Sequence, residues 1–132
     1  MKFLLDTGAV SDYLRGVEPV VQRIQKVRPS DVAISAVTVM ELRCEATRRQ
    51  SPKLTASVEA FLSDISILTF DAEAAERAGG LRASMETKGH SIALADCQIA
   101  GTALAYDLTL VTNGSDLLRV PGLKVADWRS GR

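Results

Sequence analysis

Ser91-Ile92-Ala93-Leu94-Ala95-Asp96-Cys97-Gln98-Ile99-Ala100-Gly101-Thr102-Ala103-Leu104-Ala105 is an apolar, alanine-rich stretch with a single carboxylate in its middle. Read as a helix, it places Ile92, Ile99, Ala100 and Ala103 on the same side of the cylinder as Asp96. Asp96 is therefore expected to point at the core. A buried unpaired charge costs several kcal/mol or more, so this carboxylate calls for a cation, a tight hydrogen-bond set or a bound metal. A neighbouring arginine or a few backbone N–H groups would satisfy Asp96 alone. Other acids in similar settings would point to a site.

Outward from that helix, short apolar runs alternate with helical patterns. Residues 2–5 read as a buried parallel strand ending at Asp6-Thr7-Gly8, which puts Asp6 at a strand's carboxyl end, where open α/β sheets bind ligands. Val10 to Gly16 and Glu18 to Arg28 read as helices, with Gly16 and Pro29 as punctuation. Val32-Ala33-Ile34 is a second strand, and Ser35 caps a helix over about Val37–Gln50. On that helix Val37, Met40 and Cys44 flank Glu41, a second acid at the edge of an apolar face.

Pro52 to Ser63 is a further helix, and Ile65 to Leu68 a third strand. Asp71 caps a long helix towards Lys88, where Gly79-Gly80 marks a kink or a close contact. After the Asp96 helix, Leu108 to Val111 form a fourth strand, which ends in a polar turn, Thr112-Asn113-Gly114-Ser115-Asp116. Val120 to Val125 lead into an edge strand. The expected class is α/β with a mostly parallel sheet, in a three-layer α/β/α arrangement.

The chain's 132 residues suit one domain over 1–132, and 46% hydrophobic with 24% charged residues is ordinary for a water-soluble protein. It contains no apolar run of about 18 residues to span a bilayer. Met1 to Asp6 offers three apolar residues before a charge, unlike a signal peptide, so a cytoplasmic location is expected. Cys44 and Cys97 lack paired spacing and read as buried reduced thiols. The only histidine, His90, argues against chemistry that needs several imidazoles.

Sixteen basic and sixteen acidic residues leave no net attraction for nucleic acid. Any such partner must be held by a local patch or through metal ions. Arg43, Arg48, Arg49 and Lys53 form the densest basic cluster. They fit either a solvated helix end favoured by the dipole or a set of phosphate contacts, which Arg15 could extend.

Asp6 and Asp116 follow strands, while Glu41 and Asp96 lie on helices that follow loops. Converging on one sheet edge, such carboxylates repel and raise each other's pKa values unless a cation sits among them. All-oxygen donors without imidazole or thiolate suit the hard ions Mg²⁺ and Mn²⁺. Phosphodiester hydrolysis is the chemistry such sites commonly perform.

Four segments in this order resemble the PIN-domain ribonuclease toxins of the VapC type: Met1 to Thr7, Ile34 to Leu42, Ala95 to Ala100, and Leu110 to Asn113 with Asp116. The likeness runs through nearly the whole chain, including Val120 to Leu123 and Trp128. It implies that Asp6, Glu41, Asp96 and Asp116 are the catalytic acids, with Asp6 and Asp96 as metal ligands. It also implies metal-dependent cleavage of RNA, a small VapB-type antitoxin that inhibits it, and a homodimer. The chain departs from the pattern at Gly8, where the family usually has Asn. The loop after Thr112 is one residue shorter than usual, and Leu117 stands where an aromatic is common, with Asn113 able to offer a neighbouring oxygen. Gly8 also supports a rival reading, a PIN-like module that binds RNA or protein without catalysis. A response-regulator phosphoacceptor would need a strand-end lysine in the last third, which is absent.

Overall fold

A computed structural model describes residues 1–130. Five strands form one all-parallel sheet: β1 (Phe3–Leu5), β2 (Val32–Ser35), β3 (Ser66–Leu68), β4 (Thr109–Val111) and β5 (Val125–Ala126) lie in the order β3-β2-β1-β4-β5. β1 is central, with Leu5 opposite Ile34 on one side and Val111 on the other. From β1 the chain first builds outward through β2 and β3, then returns to the opposite side for β4 and β5. The carboxyl ends of β1 and β4 therefore flank the switch point where such sheets bind ligands.

Short runs with no polar residue suit strands covered on both faces. Leu4, Ala33 and Leu110 face one core, shared with Leu81, Met85, Ile99, Ala100 and Ala103 from α5 (Ala72–Thr87) and α6 (Leu94–Ala105). Leu5, Val32, Ile34 and Val111 face the other. That second core is covered by α1 (Thr7–Leu14), α2 (Glu18–Lys26), α4 (Pro52–Asp64) and Trp128, while α3 (Ala36–Arg49) contributes to both through Val37 and Leu42.

The caps at Ser35 and Asp71 form as the sequence suggests: Ser35 Oγ accepts from Val37 N at 3.0 Å, and Asp71 Oδ1 from Ala74 N at 3.0 Å. The first helix begins earlier than the apolar pattern implies. Asp6 Oδ1 accepts from Ala9 N at 2.8 Å and so starts α1 at Thr7. In contrast, α6 begins only at Leu94, so Ile92 is buried on the approach to the helix rather than on it.

Gly79 and Gly80 neither break α5 nor admit a close neighbour, since nothing stands within 4 Å of a Cβ built on either. The close approach is at Gly101 of α6, where an added Cβ would lie 2.7 Å from Ala74 O, Ala78 N and Ala78 Cβ. Glycine there lets the two helices touch along their alanines. Cys97 is buried as expected, but Cys44 is exposed, because its face of α3 borders a groove instead of the core. Among the described residues no helix is long and apolar enough to cross a membrane.

Candidate active site

The end of β1 places the first carboxylate. Asp6 N donates to Val111 O at 3.0 Å, which stitches Asp6 to the end of β4. Asp6 is buried, and burial pushes its carboxyl above the ordinary range against the Thr112 hydroxyl and Ala9 N–H, which favour the charged form. The Asp96 and Asp12 charges add to the rise. Thr112, just past β4, is buried as well, and its Oγ1 accepts from Gly114 N at 3.0 Å.

Asp96 occupies the first turn of α6 and is half-buried, not directed into the core. Its neighbours Cys97, Ile99, Ala100 and Ala103 make the core contact, which leaves the carboxylate at the rim. Burial raises its pKa, and the Glu41 and Asp116 charges raise it further. Asp96 thus feels all three other acids, since it also acts on Asp6. The other three residues singled out by motif therefore lie within electrostatic reach of Asp96.

Glu41 sits on α3, partly exposed, with Oε1 accepting from Thr7 Oγ1 at 2.5 Å. Thr7 Oγ1 also lies 3.2 Å from the buried Thr38 Oγ1. Asp116 lies on a 3-10 turn over Ser115–Arg119, more ordered than the open polar turn expected from its composition. Gly8, in the first turn of α1, has space beside it: a Cβ would rest 3.6 Å from Asp6 Oδ1 and 3.7 Å from Asn113 Oδ1, ordinary contact distances.

This donor set suits a hard cation, because it is all oxygen and two of its carboxylates are held above their ordinary pKa by burial and mutual charge. Among the described residues, no three acids approach closely enough to form a complete protein cage. Mg²⁺ does not require one, since it is usually held by one or two carboxylates and keeps several waters.

Beside Glu41 runs a groove of about 830 Å³ between α1, α3 and α4, lined by Arg15, Arg48, Arg49 and Lys53 among others. Arg48 and Arg49 both pair with Glu45, the latter at 2.6 Å, so one positive charge stays in excess there. Arg43 is not on the groove and pairs with Glu59. Arg15 Nη2 bonds Asp12 Oδ1 at 2.7 Å.

Asp12, Thr38 and Thr112 are not recognisable as site neighbours from the pattern alone, whereas the Thr7 hydroxyl, beside Gly8, is. Thr112 lies within a quoted motif, which is its only signal. Asp12 carries no local signature, because its main partner is Arg129 near the other end of the chain.

The PIN-domain family profile matches residues 3–123. The chain is also 35% identical over 130 residues to the tRNA(fMet)-specific endonuclease VapC of Shigella flexneri, covering 97% of this chain and 98% of that protein. The chain is a PIN domain of the VapC type. A second relative of this PIN domain, toxin FitB of Neisseria gonorrhoeae, is 35% identical over 118 residues, or 83% of this chain and 85% of FitB. Among solved structures, the DNA-bound VapBC complex of Salmonella typhimurium matches with a TM-score of 0.88 at 33% identity, covering 97% of this chain and 98% of that one. The α/β/α architecture and the parallel sheet read from the sequence are those of the PIN fold.

Proposed function

We propose that this PIN domain is a Mg²⁺- or Mn²⁺-dependent endoribonuclease, the toxin of a toxin–antitoxin pair. The observation that carries the reading is that Asp96 on α6 feels the charges of Glu41 on α3 and Asp116 past β4 and acts in turn on the buried Asp6 at the end of β1. Asp6 and Asp96 are the residues suited to hold the ion. Once bound, a divalent cation would offset the charge on the phosphate oxygens and make a nearby water more acidic. Asp6 is fixed for this task by the Ala9 N–H, and its burial limits competing water. Glu41 keeps one carboxylate oxygen beyond the Thr7 bond, able to accept a proton from the attacking water. Asp116, on the 3-10 turn past β4, adds its charge to that of Asp96 and completes the acidic set.

Arg48, Arg49, Lys53 and Arg15 give the adjoining groove its positive lining, which suits an RNA backbone leading to the carboxylates. Arg43 would have to leave Glu59 to join them and is the least suited of the cluster.

The Shigella relative is named for its action on tRNA(fMet), the Salmonella match is a DNA-bound VapBC, and VapBC-5 of Mycobacterium tuberculosis is described as a member of the VapBC family of toxin–antitoxin systems. On that support, the reading extends to a small VapB-type antitoxin as partner and to tRNA as the first substrate to test, while the homodimer rests on the family resemblance alone. A carboxylate cluster is a natural receptor for an antitoxin guanidinium, which can bond two oxygens at once. Purified chain incubated with total tRNA and Mg²⁺ should give discrete fragments. Chelator should stop the cleavage, and so should the small protein encoded beside it. Intact tRNA at every metal concentration, with RNA still bound, would instead support the non-catalytic module.

A further inference from the structure

Like-charged side chains brought together tend to part. Glu41 has three side-chain torsions, is repelled by the Asp96 charge, and lines the same groove as Arg15, Arg48, Arg49 and Lys53. Left to itself, its carboxylate would turn from Asp96 further into that groove. It is held instead by one short contact, from Thr7 Oγ1 to Glu41 Oε1 at 2.5 Å.

The geometry points to Thr7 as a positioning residue that fixes the Glu41 carboxylate at the Asp96 end of the groove that Thr7 and Glu41 both line, so that it does not swing in among the cations there. This inference rests on the nuclease reading for its consequence, but its structural half stands apart from it. Thr7 is the first residue of α1, directly after Asp6, whose side chain caps that helix. Its β-branched side chain has few rotamers. The hydroxyl is further confined by Thr38 Oγ1 at 3.2 Å, on a fully buried residue one turn before Glu41 on α3. The dipeptide Asp6-Thr7 therefore places two carboxylates, its own and that of a residue 34 positions away. Thr7 need touch no reacting atom to do so.

The test compares the full chain with Thr7→Val, which keeps the shape and loses the hydroxyl, and Thr7→Ser, which restores it. Side-chain NMR couplings without metal should show one Glu41 rotamer in the parent and in Thr7→Ser, and averaging in Thr7→Val. On RNA with Mg²⁺, Thr7→Val should lower kcat about tenfold, the scale of one hydrogen bond to a charged group, with KM within about twofold. Thr7→Ser should recover kcat. A single Glu41 rotamer in Thr7→Val, a parental kcat in that variant, or no recovery by serine would overturn the inference. A parent chain that leaves RNA intact while the rotamers behave as expected would overturn the nuclease reading and leave the hold of Thr7 on Glu41 standing.

Discussion

Arg129 closes on Asp12 across 117 positions of sequence, its Nε and Nη2 donating to the two carboxylate oxygens at 3.0 and 2.8 Å. Asp12 Oδ1 also accepts from Arg15, and its side chain is only 4% exposed. Burial acts to raise the Asp12 carboxyl, but the Arg129 and Arg15 bonds together outweigh it and hold the group below its ordinary value of 3.8. A carboxyl depressed in the folded state stabilises above its unfolded pKa, and that contribution fades as pH falls through the lower folded value. Asp12→Asn should therefore lose roughly 1–3 kcal/mol at pH 7. Urea unfolding should show the gap between parent and variant narrowing below about pH 4.

Gly101→Ala should destabilise by roughly 1–3 kcal/mol, the scale of overpacking, because α6 must move off Ala74 and Ala78 to admit the methyl. Gly79→Ala and Gly80→Ala face open space within a helix and should each stabilise by roughly 0.5–1 kcal/mol. Thermal melts of the three variants check both signs. A neutral Gly101→Ala would mean the two helices are not in close contact.

How much of this was legible in the sequence follows from what each residue's neighbours are. The strands were readable because Phe3-Leu4-Leu5 and Leu110-Val111 are buried on both faces and therefore lack polar residues. Ser35 and Asp71 were readable as caps because a cap acts within three residues. Asp6 hid the start of α1, since one side chain serves as both cap and candidate ligand. Gly79-Gly80 drew attention that belonged to Gly101, because a glycine's meaning lies in what stands opposite, here Ala74 and Ala78 of another helix. Asp96 was placed too deep for a similar reason: the pattern gives its angle around α6 but not its height relative to the rim of the sheet. The acids themselves were found by motif, whereas Thr38 and Asp12 needed the fold to bring their partners near.

Gly8→Asn should raise cleavage and Mn²⁺ affinity. Gly8 lies in the helical first turn of α1, and a Cβ there meets only ordinary contacts with Asp6 Oδ1 and Asn113 Oδ1. An amide at that place could donate to either oxygen and steady the first carboxylate. Parallel rate and Mn²⁺ binding measurements check it, with Gly8→Ala as the control that adds bulk without a donor. Equal gains from Ala and Asn would assign the effect to helix propensity alone.

Asp6 and Asp96 carry raised pKa values, which gives the metal-free protein the opposite pH dependence to Asp12. A carboxyl raised in the folded state costs stability once ionised, so its unfavourable contribution grows as pH rises from the ordinary carboxylate value through the folded one and is complete above it. Asp96→Asn should accordingly melt higher than the parent at pH 7 without metal, though its hydrogen-bonding shape is nearly unchanged. Calorimetry of the two proteins in chelator decides the sign.

Titration of Mn²⁺ into the parent and into Asp96→Asn at pH 7, followed by calorimetry, tests the acidic centre most directly. The parent should bind the ion, more weakly as pH falls and protons return to Asp6 and Asp96, while Asp96→Asn should lose at least about tenfold in affinity together with RNA cleavage. Equal Mn²⁺ binding by the two proteins, or RNA cleavage by Asp96→Asn at the parent's rate, would contradict a metal-dependent nuclease built around Asp96.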